Sequence, residues 1–172
     1  MTENVSHTLR RQGDNSDAWD VCSLSYEDRF LRRKVLHTVN GAHLLVDLAH
    51  TESVDHGDAF LLTDGRSVVV KAAEEPLLEI TGDDLVRIAW HVGNRHTPCQ
   101  IEAERLLIQR DHVIADMLGR IGAVVREVTE PFTPEGGAYG HGRTHGHDHS
   151  HSHGPETHSH SHDHGHSHSH DH

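Results

Sequence analysis

Over residues 20–75 the apolar positions fall into short runs separated by turn residues, the pattern of a small all-β module. Val35-Leu36-His37-Thr38-Val39 reads as a strand that ends at the turn pair Asn40-Gly41. Ala42 to Leu48 is a second apolar run, and His56-Gly57-Asp58 is a turn. Ala59-Phe60-Leu61-Leu62-Thr63 and Arg66-Ser67-Val68-Val69-Val70 flank Asp64-Gly65. That dipeptide predicts a tight hairpin with both central residues at positive φ. Before this module, Met1 to about Trp19 is polar, and a mobile arm over 1–19 is expected.

The period changes after Ala72-Ala73-Glu74-Glu75-Pro76, a short charged segment that reads as the domain boundary. Leu77 to Thr81 alternates like a strand. Asp83 or Asp84 then caps a helix with Leu85, Ile88, Ala89 and Val92 on one face. Gly93 fits the left-handed residue that ends helices, and Pro98 lies beyond the stop. Gln100 to Gln109 reads as two strands or one bent strand. Asp111 caps a second helix through Val113, Ile114, Met117, Leu118 and Ile121 to Gly122, and Ala123 to Val128 is a last strand. With two middle strands this is the ferredoxin-like βαββαβ order. The fold class is therefore α+β: an all-β domain at 20–75, a ferredoxin-like domain at 76–140, and a histidine-rich tail at 141–172.

Composition sharpens the picture at the tail. Of 22 histidines, 14 lie beyond residue 140: His141, His145, His147, His149, His151, His153, His158, His160, His162, His164, His166, His168, His170 and His172. The same segment has no Val, Ile, Leu, Met, Phe, Trp or Tyr, so it buries no core and is expected to be disordered. Imidazoles at every second residue reach one ion with only local ordering. They suit Ni(II), Zn(II) and Cu(II), not Ca(II) or Mg(II). Serine and aspartate interleave them, unlike an affinity tag. Affinity is expected to fall as pH drops through the imidazole range near ~6.5, where protons compete for the same nitrogens.

About 120 residues remain for packing, a marginal core that favours a homodimer. The net charge of −12 argues against nucleic acid and anionic membrane surfaces. No apolar run approaches a membrane span, no signal peptide is evident, and two cysteines make no disulfide scaffold. A cytoplasmic protein is the expectation. There is no phosphate loop, no nucleophile elbow and no zinc-protease motif, so no enzyme is expected.

Outside the tail, His96 is the leading candidate ligand. One histidine holds no transition metal alone, but near the two-fold axis of a dimer it meets its own copy. His91 is a weaker candidate, because five residues place it about 140° around the helix from His96. His112 opens the second helix, where the dipole disfavours the charged ring and keeps it ligating. Cys99 reads as a small packed residue. His37, His43, His50 and His56 show no converging spacing and read as surface or turn histidines.

These residues resemble the UreE urease accessory proteins, nickel metallochaperones. The resemblance is carried by Gly57-Asp58 with Thr63-Asp64-Gly65-Arg66, by His91-Val92-Gly93-Asn94-Arg95-His96, by Asp111-His112-Val113 with Met117-Leu118, and by Phe132-Thr133-Pro134-Glu135-Gly136-Gly137-Ala138-Tyr139-Gly140. It implies a β domain similar to a chaperone's peptide-binding fold, followed by a metal-binding and dimerisation domain. The family histidine that pairs across the dimer falls on His96. The implied cargo is Ni(II), with Zn(II) or Cu(II) in competition. The implied partners are a urease accessory GTPase and apo-urease with its scaffold accessory proteins. Where some members carry His-x-His before the second helix, this chain has Arg110-Asp111-His112, and arginine does not ligate. The chief alternative is a general histidine-rich metal storage or buffer protein. A prolyl-isomerase-type chaperone with a histidine tail is a third reading.

Overall fold

The computed structural model describes residues 4–137. The strands are β1 (Asn4–Arg10), β2 (Asp20–Leu24), β3 (Phe30–His37), β4 (His43–Ser53), β5 (Ala59–Leu62), β6 (Ser67–Ala72) and β7 (Glu74–Thr81), then helix α1 (Leu85–Gly93). β8 (Gln100–Ile101), β9 (Leu106–Gln109), helix α2 (His112–Arg120) and β10 (Val124–Pro131) complete the described chain. Two sheets form, β2-β6-β5-β1-β4-β3 and β10-β7-β9-β8.

The second sheet has every neighbouring pair antiparallel. Its order follows from βαββαβ connectivity: each helix carries the chain past one strand position, so the first and third strands become central. Both helices start as their sequence signals require. The Asp84 carboxylate accepts the Arg87 amide, and Asp111 Oδ1 accepts the amides of Val113 and Ile114 at 2.8 and 3.1 Å. Ile88 and Val92 from α1 and Ile114 and Leu118 from α2 close over Leu78, Ile80, Leu106 and Ile108 of the sheet.

The first sheet corrects the expectation of a mobile arm over 1–19. β1 lies inside the sheet, parallel to β4 and antiparallel to β5. Only Ser6 in this strand is fully buried, and its hydroxyl donates to the Leu61 carbonyl at 2.7 Å. The strand is held mainly by backbone pairing, with Leu9 as its one side chain packed on the core, so its sequence carries no hydrophobic alternation to read. The residues that follow are also tied down. Arg11 bridges Glu52 and buried Asp58, and the Arg66 guanidinium stacks 3.8 Å from the Trp19 ring centroid.

The hairpin at Asp64-Gly65 differs from its expected form. Gly65 alone is left-handed (φ 92°), with Gly65 N–H donating to Leu62 O and Leu62 N–H to Arg66 O. The three-residue loop is a type I turn closed by a glycine bulge, so aspartate keeps an ordinary φ. The Ala72–Pro76 boundary is also tighter than a linker. Ala73 is the only residue between β6 and β7, and Pro76 sits within β7 opposite Thr129.

Contacts across this junction are built from residues far apart in sequence. Arg29 is buried and donates to the carbonyls of Leu24 and Phe132. The Tyr26 amide donates to Glu75 at 2.7 Å, and the Tyr26 ring meets Phe132 edge-on at 5.5 Å. Phe132 is completely buried with Leu77 and Leu107.

Arg105 holds three carboxylates on the ferredoxin-like sheet: Glu79 at 2.9 Å, Glu102 at 2.7 Å and Glu130 at 2.7 Å. Hydrogen bonds from its guanidinium lower the pKa of all three below the ordinary value of 4.5. Carboxylates lowered on folding bind fewer protons in the native state than in the unfolded one. The stability they contribute is therefore present above pH ~4.5 and lost as pH falls through the lowered values. Arg105→Gln is expected to destabilise the protein at neutral pH, with the difference from the parent shrinking below about pH 4. Denaturant melts across that range measure it, and a gap that stays constant would contradict the linkage.

Candidate metal centre

His96 follows α1 at a reversal of the chain. Gly93 is the last residue of the helix and keeps an ordinary φ, correcting the expected left-handed glycine. Asn94 N–H donates to Trp90 O, Arg95 N–H to Val92 O and His96 N–H to Gly93 O, so the end of the helix tightens into successive three-residue turns. His96 is then the left-handed residue, at φ 56°. Among the described residues it is the sole non-glycine with positive φ, a conformation in which histidine, asparagine and aspartate are enriched. The reversal leaves the ring exposed.

His96 shares a cleft with Ala89 and Gly93 of α1, and with Cys99, Ile101 and Glu135. Glu135 arrives because the chain after β10 runs back along Cys99 and Gln100. The Glu135 amide donates to Cys99 O at 2.8 Å and the Thr133 amide to Gln100 Oε1 at 2.8 Å. No local signal could have placed Glu135 beside His96, since 39 residues separate them. Cys99 is half-buried against the second core, and burial followed by the Glu135 charge pushes its thiol up to about 11. At neutral pH it is a protonated packing residue.

The other candidates sit apart in the fold. His91 is half-buried in the last turn of α1, and His112 is the exposed first residue of α2. Among the described residues, no three His, Cys, Asp or Glu side chains converge on one point, so His91, His96 and His112 of a single chain do not make a metal site together. Arg110, standing where a second ligand would precede His112, donates to the carbonyls of Leu77 and Val128 and lies 3.6 Å from Glu127. It ties β7 to β10. The tail histidines from His141 to His172 lie outside the described residues.

Beside the cleft, α1 turns an apolar strip to solvent. Val86 is 84% and Trp90 68% exposed, one turn apart. No helix among the described residues is long and apolar enough to cross a membrane.

The comparisons with known proteins follow the same division of the chain. Residues 2–73 match the family model described as the N-terminal domain of the UreE urease accessory protein, and residues 75–172 match its C-terminal domain. A urease accessory protein UreE of Ruegeria pomeroyi is 70% identical over 137 residues, covering 80% of this chain and 92% of that protein. One from Cereibacter sphaeroides is 56% identical over 146 residues, covering 84% and 80%. One from Paracoccus denitrificans is 59% identical over 121 residues, covering 70% and 77%. With both domains matched in order and meeting at Ala73, the chain belongs to the UreE family of urease accessory proteins.

Proposed function

We propose that this chain is a nickel carrier for urease maturation, acting as a homodimer with its delivery site at paired copies of His96. The observation that carries the reading is His96 itself: an exposed imidazole held by a left-handed backbone at the lip of a cleft, beside an unpartnered apolar strip. A two-fold contact across Val86 and Trp90 covers that strip and brings two such rings towards each other. Two imidazoles leave positions free around a Ni(II) ion, so the cargo is held and still exchangeable.

The exit segment supports a second element. Glu135 lines the His96 cleft, and His141 is six residues further on. Six residues reach at most about 20 Å. The first tail histidines are thus within covalent reach of the paired site and complete its ligand set. The rest of the tail collects ions for it. Zn(II) and Cu(II) compete by the same imidazole chemistry, Cu(II) most strongly.

The chain works as a carrier rather than an enzyme, in the cytoplasm, where the unpaired thiols of Cys22 and Cys99 stay reduced. Its partners in this reading are a urease accessory GTPase and apo-urease with its accessory scaffold. Calorimetric nickel titration of residues 1–140, with mass by light scattering, tests it. Half an ion per chain on a stable dimer supports the two-fold site. Tight binding only when residues 141–172 are present moves the function to a tail-based metal buffer.

A further inference from the structure

The sheet brings together two histidines that the carrier site does not use. His37 ends β3 and His43 opens β4, and the two are direct partners across the antiparallel ladder. Directly opposed residues point to the same face. Both side chains are exposed, with ring centroids 4.6 Å apart and planes at 70°. The spacing of six in the sequence hides this, because the hairpin, not a helix or a local motif, closes the gap.

The frame under the pair is stiff. Thr38 N–H donates to Ala42 O at 2.9 Å, Ala42 N–H to the buried Thr38 hydroxyl at 2.9 Å, and Gly41 (φ 86°) closes the turn onto Thr38 O. Asn4 Nδ2 of β1 donates to His43 O at 2.9 Å, and the Cys22 thiol lies against His37 O. The two backbones are thus pinned on both sides of the rings.

Metal geometry fits this spacing. Imidazoles bound to one ion at about 2.1 Å per nitrogen have centroids about 4.5 Å apart at a right angle and about 5.2 Å apart at the tetrahedral angle. The observed separation falls at the lower end of that range, so ligation needs ring rotation and no backbone movement. We infer that His37 and His43 form a second metal-binding locus, a bidentate imidazole chelate on the N-terminal β sheet for Cu(II), Ni(II) or Zn(II). No third His, Cys, Asp or Glu joins them among the described residues, so the remaining positions are open to water or to an incoming ligand. Such a locus exchanges its ion readily, and it lies in a different domain from His96.

The test follows single imidazole resonances of the full-length protein by NMR during Zn(II) titration, carried past the point where the tail signals stop changing. His37 and His43 are expected to shift together as one step. In the His37→Gln protein the His43 shift should require on the order of a hundredfold more Zn(II), because a chelate has become a single ligand. Both side chains are exposed, so the variant keeps its fold, and its backbone spectrum reports that directly. A His43 response unchanged by His37→Gln, or no His43 response once the tail is saturated, overturns the inference. Neither readout involves nickel at His96, so failure here is distinct from failure of the carrier reading.

Discussion

Replacing His96 by asparagine is expected to abolish the tail-independent nickel site while leaving the fold intact. In the proposed two-fold dimer a single substitution removes both rings at once, so the loss in affinity is that of a whole chelate, at least ~100-fold. Asparagine is the right replacement because the backbone at this position is left-handed (φ 56°). A residue without a short polar side chain or a missing Cβ pays roughly 1–2 kcal/mol there, whereas asparagine tolerates it. The denaturation midpoint should therefore move by less than the equivalent of about 1 kcal/mol. Nickel calorimetry on residues 1–140 of parent and variant reads the binding, and light scattering gives the mass of each. If the variant still takes up half an ion per chain with parental affinity, His96 is not the carrier ligand.

The largest stability effect is expected at Phe132. Its ring is fully buried against Leu77 and Leu107 and meets Tyr26 edge-on, while its carbonyl accepts Arg29. Phe132→Ala keeps that hydrogen bond and empties the space under it, which costs about 3–5 kcal/mol in a core that relaxes only in part. Phe132→Leu retains most of the volume and should cost less than about 1.5 kcal/mol. Urea unfolding of both variants checks the pair, and an alanine variant within about 1 kcal/mol of the parent would show that the junction collapses to fill the gap. The consequence reaches the His96 cleft. Phe132 anchors the segment that carries Glu135 into the His96 cleft, so its loss also frees Glu135 from that cleft.

The ferredoxin-like half was the more legible part of the chain. Its helices announce themselves by aspartate caps and by apolar residues three and four apart, and both aspartates cap the helices expected of them. Four strands and two helices in that order leave few sheet orders open. The β domain was legible in its turns and only partly in its strands. β1 is mostly polar, and its place in the sheet comes from ladder bonds to β4 and β5 that no local window contains. At the candidate site, His96 stood out by its place after a helix. The glycine signal points to Gly93 for the left-handed residue, which falls instead at His96, because tight turns follow the helix end before the chain reverses.

What the sequence determined by itself was whatever local chemistry dictates: helix caps, hairpin glycines, a tail with imidazoles and no core-forming residues, and the ordered motifs shared with the UreE family. What only the tertiary structure decided was every relation between distant residues. Arg29 reaches Phe132 across 103 positions, Glu135 joins His96 across 39, and His37 faces His43 because a three-residue loop sets the register of two strands. Such contacts arise when sheets pair and cores close. That selects one long-range arrangement out of many that the same local preferences permit.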